Sequence, residues 1–202
     1  MSGTPYWTMD AGGFLVERRF HKPNAADQEE WREMNTRWFQ YGAFVPLFRA
    51  HGQFPFREPF NIADETHPAY KSMIYYIHLR YKLMPYIYSL AGNTYLRDGT
   101  MMKAVAMDFP KDTPAFNIND QFLLGSSLLV NPVTAMGLTS RKVYLPAGTV
   151  WYDFYSGKAE KGGREIEADA PYERIPLYVK GGSILPLGAE MQHTGEKKQD
   201  EI

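Results

Sequence analysis

Before Gly99 the chain reads as strand alternating with helix; after it, as a series of short strands and no helix. This switch limits the possible folds more than any other feature. Strand–helix alternation belongs to parallel α/β layers, whereas short strands parted by turn residues belong to antiparallel sandwiches. In the first part, residues 3–9 are rich in Thr, Tyr and Trp and predict a strand, closed by Asp10 and the Gly12-Gly13 pair. A helix is predicted from Asn24 to Gln40. Asn24 or Asp27 caps it, Glu29 and Glu30 stand in the first turn where the helix dipole favours anions, and Trp31, Met34 and Trp38 share one face. The near-continuous apolar run Ala43–Phe48 predicts a strand buried on both faces. A proline-bearing loop over 53–68 precedes a long helix over 69–97, which Pro85 kinks or divides.

The second part predicts strands at 101–109, 122–130, 142–145, 149–152, 164–168 and 175–179, an antiparallel sandwich. The domains expected are 1–98, 99–190 and a polar tail over 191–202. A parallel barrel needs eight strands, and a single βαβα unit can neither close one nor cover both sheet faces. The first part is therefore expected to be incomplete by itself.

Composition narrows the partners. Lys+Arg 22 against Asp+Glu 23 leaves a net charge of −1, which gives no electrostatic ground for nucleic acid or an anionic membrane. Cysteine is absent, so disulfides and thiolate metal sites are excluded. No run approaches the roughly 18 apolar residues of a membrane span, and no signal peptide is visible at Met1; localisation stays open. His21, His51, His67, His78 and His193 are scattered, without the short spacing of metal ligands. Gly12-Gly13 and Gly181-Gly182 are bare pairs rather than phosphate loops, and no G-x-S-x-G elbow occurs. Neither metal nor cofactor is expected.

Six runs, in order, cover almost the whole chain and carry a resemblance. They are 7–14 (Trp-Thr-Met-Asp-Ala-Gly-Gly-Phe), 37–46 with Arg49-Ala50-His51, 79–90, 120–130, 145–153 and 179–186. Together they resemble glycoside hydrolase family 31, which contains α-glucosidases and α-xylosidases. The resemblance implies α/β plus all-β architecture: the last two βα units of a (β/α)8 barrel followed by an antiparallel β-sandwich. It implies a retaining α-glycoside hydrolase acting on an α-linked oligosaccharide. Arg49-Ala50-His51-Gly52 followed by Arg57-Glu58-Pro59 leans towards the α-xylosidase branch.

Retaining glycosidases use two carboxyl groups about 5–5.5 Å apart, one as nucleophile and one as acid/base. The family nucleophile stands in a Trp-x-Asp-Met-Asn-Glu type of motif, which this sequence lacks. The family acid/base lies on the strand before the one ending at Asp10, which would precede Met1. No catalytic residue is therefore expected in the chain, and the chain alone is expected to be inactive unless the remainder of the barrel is supplied in trans. Four positions match family or pocket roles in substrate binding. By resemblance Asp10 accepts hydrogen bonds from sugar hydroxyls; the residues alone also allow a loop aspartate bracing the glycine turn. By resemblance His51 is a hydroxyl ligand, with a structural histidine as alternative. Phe14 offers an apolar face to the sugar or packs in the core, and Arg49 orients carboxylates or forms a structural ion pair. Arg57 and Glu58 read as a structural pair. Trp151 and Tyr152 read as sandwich core, with a sugar-stacking platform as the alternative. Two other functions stay open: a carbohydrate-binding module on the β region, and a structural or interaction piece that exposes the apolar 43–48 segment.

Overall fold

A computed structural model describes residues 3–196. The polar tail expected over 191–202 lies, from 197 onward, outside the described residues. A 3₁₀ turn, Arg18–His21, leads into helix α1, Ala25–Gly42. Asn24 caps α1: its side chain accepts the Asp27 N–H at 2.9 Å, pairing one of the donors that every helix start leaves open. A single turn, α2 (Pro59–Ile62), precedes α3 (Pro68–Lys82) and α4 (Met84–Arg97). These last two replace the one long helix, and the break falls where Pro85 predicts it. Pro85 stands in the first turn of α4, where an N–H would have no helical partner.

The two strands expected in the first part do not form ladders. Segments 7–11 and 47–50 run side by side with one parallel bridge, Ala11 to Ala50. Leu47 N–H donates to the Trp7 carbonyl at 3.1 Å, and Ala11 N–H to the Arg49 carbonyl at 3.3 Å. Parallel strands gain stability as interior members of a wider sheet, and among the described residues each of these has only the other. Ala43, Phe44 and Val45 are fully buried, but as a turn leaving α1 rather than as a strand. Its carbonyls are bound by a side chain: Arg80 on α3 donates to Ala43, Val45 and Pro46 at 2.9, 2.6 and 2.7 Å. Burial pushes the Arg80 guanidinium down to about 10.

Among the described residues the β region has eight strands: β1 (Met102–Lys103), β2 (Phe122–Leu124), β3 (Leu128–Val130), β4 (Ser140–Leu145), β5 (Val150–Asp153), β6 (Ala159–Lys161), β7 (Arg164–Asp169) and β8 (Leu177–Lys180). The strand expected over 101–109 shrinks to β1, and Val105–Asp108 closes into a helical turn, α5. The run 122–130 is a hairpin, turned at Gly125 with φ +61°. A Cβ there would stand 2.3 Å from the Tyr86 hydroxyl, which donates to the Leu124 carbonyl at 2.8 Å. Six strands form one antiparallel sheet in the order β1-β2-β3-β8-β5-β6; β4 and β7 pair separately.

Alternation along the strands sets the layers. Leu123, Leu129, Tyr178 and Trp151 face the β4–β7 pair, meeting Val143, Leu145 and Ala168. Phe122, Leu124, Leu128, Val130 and Leu177 face the helices, meeting Tyr76, Leu79, Leu83, Tyr86 and Ile87. Strands β2 and β3 are thus apolar at every position because both faces are covered.

Beside this shared apolar layer, α1 meets the β region through polar groups. α1 buries Glu33, Asn35, Thr36, Arg37 and Gln40 as well as Trp31 and Phe39. Arg37 donates to the Pro171, Arg174, Leu138 and Ala170 carbonyls at 3.0–3.3 Å. Gln40 reaches the Tyr172 carbonyl at 2.9 Å, and both Glu33 oxygens accept the Gly137 N–H at 3.0 Å. The Trp31–Met34–Trp38 stripe is divided. Trp31 is buried, while Met34 and Trp38 line a cleft of about 720 Å³ with Trp7, Tyr41, Phe122 and Val133. No described helix is long and apolar enough to cross a membrane.

Candidate functional site

The Ala11–Ala50 bridge positions the site. Asp10 directly precedes Ala11, and Arg49 and His51 flank Ala50, so the bridge brings all three side chains to one end of the paired segments. Arg49 Nε donates to Asp10 Oδ1 at 3.0 Å, and Arg49 Nη2 donates to the same oxygen. His51 Nδ1 lies 3.5 Å from Asp10 Oδ1. The Phe14 ring stacks on the His51 imidazole, with centroids 5.6 Å apart and planes inclined by 27°. All four residues nominated from the sequence therefore converge.

Their electrostatics follow from these contacts. The Arg49 hydrogen bond, against a smaller opposing effect of desolvation, holds the Asp10 carboxyl below the usual carboxylate range; the charges of Arg49 and His51 add to it. All of these partners use Oδ1, so Oδ2 has no protein partner among the described residues. The arrangement offers a charged acceptor, an imidazole that can both donate and accept, and an apolar ring face. Such a set suits neighbouring hydroxyls on a sugar ring. It contains one carboxylate, where double displacement needs two. Among the described residues no group of three His, Cys, Asp or Glu could hold a metal ion.

The loops are held by short links. Gly13 N–H donates to the Asp10 carbonyl at 2.8 Å, closing the turn, and Gln53 N–H donates to the Phe14 carbonyl at 2.9 Å. Gly12 has φ +85°, and a Cβ on it would come within 2.4 Å of Asn35 Oδ1, so only glycine lets this turn rest on α1. The Arg57–Glu58 pair read from the sequence is not made. Neighbouring residues on extended backbone point to opposite sides. Glu58 accepts from Asn61 at 2.8 Å, while Arg57 turns inward to the carbonyls of Gly13, Gln53 and Pro55. Sequence reasoning missed that role. The available signal was a cation in a loop whose prolines remove backbone donors and leave carbonyls for side chains to pair.

Away from this site, Trp151 is fully buried and donates its indole N–H to the Pro146 carbonyl at 2.9 Å. It is a core residue and no platform for a sugar, whereas Tyr152, on the opposite side of the strand, is 42% exposed and corrects the expectation that both are core.

Comparison with known proteins completes the picture. The model of the glycosyl hydrolases family 31 TIM-barrel domain matches residues 1–90, and that of the family 31 C-terminal domain matches residues 98–185. An α-xylosidase of Saccharolobus solfataricus is 37% identical over 203 residues, covering 100% of this chain and 26% of the relative. The crystal structure of a family 31 α-xylosidase from Xanthomonas citri superposes with a TM-score of 0.93 at 57% identity, covering 94% of this chain and 21% of that one. A family 31 dextranase mutant from Flavobacterium johnsoniae, complexed with isomaltotriose, gives 0.86 at 37% identity over 97% and 23% of the two chains. The chain thus spans about a quarter or less of the length of these relatives.

Proposed function

The chain belongs to glycosyl hydrolase family 31, and from that membership we propose that it supplies the hydroxyl-binding end of the active site in a retaining α-glycoside hydrolase of the α-xylosidase or α-glucosidase kind. The observation that carries this reading is the convergence of Asp10, Arg49, His51 and Phe14 at one end of the paired segments. Asp10 Oδ2 accepts from a sugar hydroxyl of an α-linked oligosaccharide, His51 donates to or accepts from its neighbour, and Phe14 covers an apolar face of the ring. Arg49 keeps Asp10 ionised and aimed. Identity of 57% to an α-xylosidase favours that branch.

The chemistry itself needs a nucleophile and an acid/base carboxylate; the family's nucleophile motif does not occur in this sequence, and the site has one carboxylate, Asp10. We therefore assign this chain binding without cleavage by itself, and cleavage once the other βα units of the barrel pack against it. Two features support such packing: the cleft lined by Trp7, Met34 and Trp38, and the exposure of Leu47, Phe54 and Phe60.

Aryl α-xyloside and aryl α-glucoside, incubated with the purified chain, should show no turnover above buffer. Adding a separately made polypeptide with the first six βα units of a family barrel should restore turnover. In that mixture Asp10→Ala should lower kcat/KM by on the order of 10²-fold. Turnover by the chain alone, or a mixture indifferent to Asp10→Ala, would sink the assignment.

A further inference from the structure

Beneath the Asp10 cluster lies a buried cation without a carboxylate partner. Arg57 is 5% exposed, and among the described residues no carboxylate lies within ion-pair distance of it. Its guanidinium is instead shared between two loops. Nη1 donates to the Gln53 carbonyl and, at 2.7 Å, to the Pro55 carbonyl, on the segment leaving His51. Nη2 donates at 2.5 Å to the Gly13 carbonyl, on the turn leaving Asp10. Its Cζ stands 5.5 Å from the centre of the Trp31 ring, so α1 forms the surface on which the group rests. Two glycines make room for it. A Cβ on Gly12 would lie 3.0 Å from Arg57 Nε, and one on Gly52 would lie 2.7 Å from Arg57 Cζ.

We propose that Arg57 is a positioning residue: by tying Gly13 to Gln53 and Pro55, it fixes the spacing of Asp10 from Arg49 and His51. The planar fork is what the geometry requires. Three acceptors on two separate loops are reached by two nitrogens of one rigid group, which a lysine ammonium, a single point, cannot do. The main-chain links between the loops are few, and one of them, Ala11 to Arg49, is long at 3.3 Å. Burial pushes the Arg57 pKa down and the Asp10 charge pushes it back up, so the two groups feel each other without touching.

The assignment of the cluster as a sugar site rests on the preceding reading; the spacing does not, and the test separates them. In the purified chain the His51 ring protons should appear upfield in the proton NMR spectrum, because Phe14 stacks on them; His51→Gln assigns the signals. Arg57→Lys and Arg57→Met should keep helical circular dichroism and a cooperative melt. In both, the His51 signals should lose their upfield displacement and the Asp10 carboxyl should titrate closer to its ordinary range, with no rescue by lysine. A folded Arg57→Lys variant with unchanged His51 and Asp10 signals would overturn the proposal. Loss of fold in both variants would overturn it too, because Arg57 would then be a strut of the core. Methyl α-xyloside, added last, reads the other claim. If the sugar leaves His51 unmoved in the native chain while the Arg57 variants still displace it, the sugar reading fails and the positioning role stands.

Discussion

The sheet region and the part that carries the site pair their backbones by different means. In the sheets, carbonyls meet amides along antiparallel ladders, as in the six-residue register of Ser140–Leu145 against Asp169–Arg164. Around the site there is one bridge, and loop carbonyls are taken up by arginines. Arg57 binds Gly13, Gln53 and Pro55; Arg80 binds Ala43, Val45 and Pro46. At the seam Arg37 binds four more. A ladder spreads its bonds over many residues, so no one side chain decides it. A guanidinium concentrates several bonds in one residue, and losing it leaves several buried acceptors unpaired at once. The site part should therefore be fragile to single substitutions in a way the sheets are not.

The largest effect is expected at the seam. Arg37→Met removes the donors for four carbonyls and the cation 3.5 Å from the buried Glu33 carboxylate. It should cost about 5 kcal/mol and split urea unfolding into two transitions, the sheets outlasting the helices. One cooperative transition with little loss would break the contrast. Arg80→Met comes next, at about 3 kcal/mol for three orphaned carbonyls, measured by urea titration. A neutral result there would mean that the 43–46 turn finds other donors.

Alkaline pH probes the same seam without mutation. Tyr76 donates to the Tyr155 hydroxyl at 2.7 Å, Tyr155 donates to the Ile175 carbonyl at 2.9 Å, and Ile175 N–H donates back to Tyr76 at 3.0 Å. Burial pushes Tyr76 up to about 12 and Tyr155 well above the usual phenol range. An unfolded phenol loses its proton near pH 10, whereas these keep theirs in the fold. Between those values the unfolded chain binds fewer protons, so stability is intact below about pH 10 and falls as pH rises towards 12. Melts followed by circular dichroism across that window should show the helices and the sheet parting first. A stability flat to pH 12 would remove tyrosine from the seam. The smallest effect belongs to the sheets: Lys142→Ala breaks an exposed cross-strand pair with Glu165, 3.0 Å long, and should leave Tm at the native value. A large drop would show that the ladder too depends on side chains.

Local chemistry was legible in the sequence wherever it acted locally. The Asn24 cap and the division at Pro85 are decided within a few residues, and both follow from standard helix termini. The apolar-run rule was sound but chose the wrong segment. It gave a doubly covered strand at 43–48, whereas the doubly covered strands are Phe122–Leu124 and Leu128–Val130, in an antiparallel sheet with helices on one face and β4–β7 on the other. Strand β6, Ala159–Lys161, carries no apolar alternation and exists through its pairing with β5, so no pattern could mark it. The site residues Asp10, Phe14, Arg49 and His51 were found through motifs, and their meeting depends on one bridge spanning 39 positions. The buried polar face of α1 was invisible, because its partners lie about a hundred residues away in loops that read as plain turns.

Arg37 has one more consequence. All four of its hydrogen bonds to the 138 and 170–174 loops go to carbonyls, which every amino acid brings, and its one ring contact there is with Tyr172, 5.8 Å from Cζ. Tyr172 apart, Arg37 therefore reads the path of those loops and is indifferent to their letters. Substitutions in those loops that keep the backbone path should leave its grip intact, whereas the arginine itself has no such latitude.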